Sequence, residues 1–286
     1  MFIIKKIFKN SDNQIRSGWK VFLVVVLTVI SLLIFAAILN LLNLTDRLGI
    51  LLALAMVLAV AIMLKFIDRK GFNYIGLTTL KKSYKKLLIG LFLGLFLISL
   101  NVLILRLTGH LEFETELFNP NISSFLLFGL LQFLIVGIGE EVLFRGYIIS
   151  TLQQMNKPWL SIILSSLIFT IPHSGNAGGK LIPLVNLFLA GVLLAYIYIK
   201  TKNLYTVIGF HITWNYFQGY IYGANVSGIK VEDAAYTIKL KDQLLSGGNF
   251  GLEGGLVNTI VIILGILVIY WLYERINIST NQQINT

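Results

Sequence analysis

Residues 123–149 read SSFLLFGLLQFLIVGIGEEVLFRGYII. A bilayer's hydrocarbon takes about 20 residues of apolar helix, and this run is long enough to cross it. Yet the same run carries Glu140, Glu141 and Arg145 close together. An ionisable side chain inside a span costs at least about 2.5–3.5 kcal/mol on insertion scales, which makes it a functional candidate by default. One segment therefore points both to lipid as the solvent and to a place for chemistry.

The rest of the chain agrees. Of its 286 residues, 56% are hydrophobic and only 13% are charged, against about 25% charged in soluble domains. Apolar spans fall near 21–42, 48–67, 87–105, 123–149, 159–172, 181–199, 204–222 and 256–273. The expected fold is all-α, a polytopic membrane protein of about eight transmembrane helices. The first span exceeds a signal-peptide core of about 7–15 residues and reads as a retained helix. Cysteine is absent, which excludes disulfides, thiolate metal sites and a thiol nucleophile. The net charge of +10 could hint at nucleic acid. Its placement beside apolar segments is instead the pattern of topology signals and anionic-lipid contacts, so no nucleic-acid partner is expected.

Loop charge sets orientation. Lys5, Lys6, Lys9, Arg16 and Lys20 precede the first span, and Lys65, Arg69, Lys70, Lys81, Lys82, Lys85 and Lys86 follow the second. Lys157, then Lys200 and Lys202, follow the fourth and sixth. These segments should be cytoplasmic, with Glu112, Glu114 and Glu116 outside and both termini inside. The expected divisions are a cytoplasmic segment 1–20, a bundle over 21–275 and a disordered tail 276–286. Residues 223–255, with a Gly-rich run from Ser246 to Gly255, should be an outward, partly mobile loop: a plain connector, or a lid or partner surface. No internal repeat of the transporter kind is visible.

Helix geometry separates the two glutamates. Glu141 and Arg145 are four apart, so they share a face and can pair, a structural role. Glu140 sits about 100° around the helix and lacks that partner. A carboxylate in apolar surroundings can be tuned toward neutral pH, which makes Glu140 the better general base. The plainer alternative is one structural charge network of all three. His211 and Asn215 are also four apart on the seventh span, with Gln218 and Tyr222 extending the polar stripe. A His and an Asn side by side can donate two hydrogen bonds to one oxygen, as an oxyanion site needs. They could equally glue helices together, or the histidine could ligate a metal. His173 follows Pro172, which should kink or end its helix and free carbonyls beside the imidazole. Asn186 fits helix–helix glue as well as site support, and Gly137, Gly139, Gly191 and Ala195 suit close helix packing.

Glu140-Glu141-x-x-x-Arg145, Phe169-x-x-x-His173 and His211-x-x-x-Asn215 resemble the three signature motifs of the CPBP family, which joins CAAX prenyl endopeptidases with bacteriocin-processing and immunity-type (Abi) proteins. The order matches, and each motif falls in its own span. Gly209-Phe-His211-Ile-Thr-Trp214-Asn215 is similar to bacterial members. The resemblance implies a bacterial plasma-membrane endopeptidase acting near or within the bilayer. It implies Glu140 and His173 as a water-activating pair, His211 and Asn215 around the scissile carbonyl, and Glu141 and Arg145 as supporting residues. The implied partners are a peptide or membrane-protein substrate and the lipid bilayer.

No cofactor is favoured. Zinc stays open, with Glu140, His173 and His211 as its ligands and a water as the fourth, although the three lack the His-Glu-x-x-His spacing that puts two ligands on one helix. A non-catalytic immunity or scaffold protein that binds a peptide is the alternative; a proton-coupled transporter is a third reading. Counting along the spans puts His211 near the cytoplasmic side and His173 much deeper. Convergence requires tilted helices or a displaced fifth helix.

Overall fold

The computed structural model describes residues 7–10, 13–41 and 48–284. Lys5, Lys6, the last residue of the first apolar span and the last two of the tail lie outside them. Eight longer helices, one on each apolar run, make up most of the described chain. They are α1 (Ser17–Leu41), α2 (Leu48–Ile62), α3 (Leu80–Leu107), α4 (Ser124–Glu141), α5 (Pro158–Thr170), α6 (Leu181–Thr201), α7 (Leu204–Tyr216) and α8 (Leu256–Ile284). Six helical stretches among the described residues are long and apolar enough to cross a membrane: those built on α1, α2, α3, α4, α6 and α8. The chain is a multi-pass membrane protein. α5 and α7 are shorter, with 13 residues each in regular α-helix, about 20 Å at 1.5 Å per residue.

Three helices loosen into π-helical turns at their C-terminal ends: α2 over Met63–Asp68, α4 over Val142–Ile149 and α7 over Phe217–Ile221. Such turns cluster at functional sites in proteins generally, and two of these three directly follow a polar motif.

The connections segregate to two ends of the bundle. At the end rich in Lys and Arg, Leu204 N–H donates to the Gly76 carbonyl, and Lys86 Nζ reaches the Thr201 carbonyl. There Lys20 is buried against Asp68 at 2.6 Å, and Asp68 also accepts from the Tyr147 hydroxyl at 2.7 Å. At the opposite end two short antiparallel strands, β1 (Leu111–Phe113) and β2 (Ile238–Leu240), pair Glu112 with Lys239. This small sheet is a minor addition to a fold that is otherwise helical, as expected. It forms because the loop after α3 and the loop after α7 meet there, each leaving backbone donors for the other to satisfy.

Glycine permits the closest helix contacts. Gly90 and Gly94 of α3 lie against the backbone carbonyls of Thr206 and Phe210 on α7, and Gly209 of α7 lies against Leu87 and Leu91. A Cβ at any of them would meet backbone, so α3 and α7 approach more closely than larger residues allow. Gly191 serves α5 and α6 in the same way against Ser166.

Residues 223–255 form a folded cap of turns and short helical pieces around β2. Asn186 Nδ2 donates to the carbonyls of Glu253 and Gly255 at 2.9 and 2.8 Å. Asn258 Nδ2 also reaches the Glu253 carbonyl, and Asn101 Nδ2 reaches Asn258 Oδ1 and the Leu252 carbonyl. Irregular backbone away from water is stable only when its polar groups find partners, and these three buried asparagines supply them. Asn186 therefore acts as glue for the cap. The backbone of α8 is helical to Ile284, across residues the sequence reading set aside as a tail.

Candidate active site

Glu140 and Glu141 end the regular part of α4, and Arg145 lies in its wholly buried π-helical continuation. Arg145 Nη1 donates to Glu141 Oε1 at 2.8 Å, and the two side chains are 1% and 0% exposed. This is the i, i+4 pair that the spacing predicts. The same oxygen also takes His211 Nδ1 at 2.7 Å. A carboxylate oxygen so placed fixes the proton on Nδ1 and sets the ring's orientation. The other ring nitrogen, Nε2, then faces Glu140, 3.6 Å from its Oε2. Among the described residues the Glu140 carboxylate accepts no hydrogen bond, and its side chain keeps 14% exposure. The two glutamates thus stand on either side of one imidazole, one locked and one unengaged. Helix contact makes this geometry: Gly137 leaves room for Ile212 and His211 of α7, and Gly139 for Ala53 of α2.

Asn215 follows one turn after His211. It is 8% exposed, and its side chain forms no hydrogen bond within the described protein. Gln218 and Tyr222, which continue the stripe in sequence, leave the site. Gln218 Nε2 donates to the Asn225 carbonyl, and the Tyr222 hydroxyl pairs with Ser99. They anchor the end of α7 to the cap and to α3.

His173 lies in the 3-10 turn Ile171–Gly175 that closes α5. Its Nδ1 is 3.0 Å from the Phe169 carbonyl, so Nδ1 is the donor and Nε2 stays open. The 13 residues of α5 run directly into this turn, where His173 is half-buried. His173 and Glu140 make no direct hydrogen bond or ion pair. What joins the motifs is the Phe169 ring, whose centroid is 5.2 Å from that of His173 and 6.4 Å from that of His211. The Arg145 guanidinium lies 4.4 Å over the same ring, and Phe144 packs edge-on at 5.2 Å. The four-residue spacing of Phe169 and His173 therefore has a physical basis: the carbonyl orients one histidine while the ring packs beside both.

The sequence reading gave no role to Glu253. It is buried, and its Oε1 accepts from the backbone N–H and the hydroxyl of Ser227. Burial pushes its carboxyl above the ordinary range, while the bonds from Ser227 and the nearby His173 and Trp214 pull the other way. A Ser-Gly dipeptide such as Ser227-Gly228 favours a turn, a signal that could have marked this position; nothing in sequence places that turn against His173.

Among the described residues no three His, Asp or Glu side chains gather closely enough to hold a metal ion. The trio Glu140, His173 and His211 that zinc would require does not fit such a site.

Residues 122–217 match the family model described as type II CAAX prenyl endopeptidase Rce1-like. The match takes in the three motifs up to Asn215 and leaves the first three long helices and the cap outside it, so this stretch is similar to that family. No curated protein matches the chain.

Proposed function

We propose that the protein is an intramembrane endopeptidase that hydrolyses peptide bonds near or within the bilayer using a water activated by Glu140 with the help of His173. The observation that carries this reading is the unengaged Glu140 carboxylate, 3.6 Å from the Nε2 of a histidine held from behind by Glu141. Glu140 takes a proton from water, and the water oxygen attacks the carbonyl carbon. His211 and Asn215 stabilise the oxyanion: with its Nδ1–H held by Glu141, His211 donates from Nε2 as the imidazolium, and Asn215, one turn further along α7, donates an amide N–H. The tetrahedral intermediate collapses with cleavage of the C–N bond, and the proton passes from Glu140 to the leaving amine. His173 acts through the water rather than by touching Glu140. Glu141 and Arg145 hold the site's charge balance.

In this reading α5 and α7 complete eight crossings, with both termini cytoplasmic, in a bacterial plasma membrane. The test is comparative peptidomics of membranes from cells expressing the wild type or Glu140→Gln. Peptides released only with the wild type are expected. Identical profiles from the two would refute proteolysis.

A further inference from the structure

The cap formed by 223–255 reaches the turn that carries His173. Ser227 and Gly228 both have positive φ, at 49° and 80°, in a tight turn closed by mutual hydrogen bonds between Val226 and Ile229. A non-glycine residue in that conformation needs outside support. Glu253 supplies it, taking both the N–H and the hydroxyl of Ser227 on one oxygen. The Ser227 carbonyl then accepts from Asn176 Nδ2 at 2.7 Å, and the Asn176 N–H donates to the His173 carbonyl at 3.2 Å. Gly228 N–H meets the Phe250 carbonyl on the other side. A continuous set of hydrogen bonds thus runs from the Glu253 carboxylate to the backbone of His173.

We propose that Glu253 is a positioning residue for His173, latching the cap to the 3-10 turn so that the imidazole is held at the depth of Glu140 and His211. This rests on the peptidase reading for its consequence, though not for its geometry. Besides Ser227, the carboxylate meets Trp214 of α7 and lies near His173, so it sits between the cap and the candidate site. Its own backbone carbonyl is fixed by Asn186 and Asn258, so the side chain departs from a rigid base. A latch on a rigid base can set the position of a short turn; one on a flexible base could not.

Two measurements test this with the full chain in lipid nanodiscs. The first is amide hydrogen exchange over residues 171–179 and 224–231 in wild type, Glu253→Ala, Glu253→Gln and Ser227→Ala. Glu253→Ala should speed exchange about tenfold in both segments, because the bonded donors lose protection when the latch opens. Glu253→Gln keeps an oxygen that accepts both bonds and should restore protection, and Ser227→Ala should fall between. Unchanged exchange over 171–179 in Glu253→Ala overturns the latch. The second measurement is the yield of peptides released from the same membranes, with Glu140→Gln as the inactive reference. Release should fall about 10- to 100-fold in Glu253→Ala and recover in Glu253→Gln, as geometric misplacement of a reacting group costs about that much. Wild-type release from Glu253→Ala alongside an inactive Glu140→Gln overturns the positioning role and leaves the peptidase reading standing. Equal release from wild type and Glu140→Gln removes the peptidase reading itself, and the exchange result then decides the latch alone.

Discussion

His211 Nδ1 lies 2.7 Å from Glu141 Oε1, the same oxygen that takes Arg145 Nη1 at 2.8 Å. A pair on one helix becomes a three-residue network across α4 and α7. Arg145 has further donors, Nε and Nη2, with no partner, so Glu141 is its main compensation. Removing one partner of a buried pair leaves an uncompensated charge and costs about 3–5 kcal/mol. Glu141→Ala should therefore lower the melting temperature in detergent sharply, while Glu140→Gln, which breaks no hydrogen bond and weakens only the 3.6 Å contact with His211 Nε2, should melt close to the wild type. Thermal unfolding followed by tryptophan fluorescence checks this; equal melting of the two variants contradicts the division of labour between the glutamates.

Asn215 gives the opposite separation. Its side chain is buried yet bonds nothing in the described protein, so Asn215→Ala should leave thermal stability nearly unchanged. Loss of one oxyanion donor costs about 10²–10³ in turnover. The expected outcome is a folded protein with that deficit in peptide release and little change in apparent substrate affinity. Loss of stability in step with activity would make Asn215 a packing residue.

The apolar runs were legible because lipid leaves little choice: a helix facing hydrocarbon must be apolar along its length. The Glu141–Arg145 pair was legible because it lies within one helix. What spans several helices was not. That Glu141 also holds His211 depends on how closely Gly137 lets α7 approach α4. The π turn over Val142–Ile149 carries no local signature and arises from packing. Residues 223–255 read as an outward, partly mobile loop, connector or lid, because their hydrogen-bond partners, Asn101, Asn186 and Asn258, lie on three other segments. Glu253 went unremarked for the same reason: the Ser227 turn that its side chain meets lies 26 residues away in sequence.

Phe169 should prove more than filler. Its ring takes Arg145 on one side and meets Phe144, His173 and His211 around it. Phe169→Leu keeps an apolar side chain of nearly the same reach but removes the π face, and a desolvated cation–π contact is worth about 2 kcal/mol. Destabilisation of that order is expected, with a fall in peptide release beyond it because both histidines lose a fixed neighbour. A Leu variant as stable and as active as the wild type would reduce the motif's aromatic position to simple volume.

The pairing of β1 with β2 should depend on pH in one direction. The Glu112 carboxyl is held below its ordinary value, first by a hydrogen bond from Lys241 and further by the positive charges of Lys241, Lys239 and Arg106. A carboxyl depressed in the folded state adds stability above its unfolded value, about 4.3. That stability is lost as pH falls through the lower folded value. Both partners are well exposed, at 45% each, so the effect is local and screened by salt. Hydrogen exchange at residues 111–114 and 237–241, corrected for the intrinsic rate, should show protection at neutral pH that declines on acidification below about 4. High salt should weaken it, and Glu112→Gln should remove the pH dependence. Protection that stays constant on acidification would mean the strands are held by their backbone ladder, with the Glu112–Lys241 pair contributing nothing.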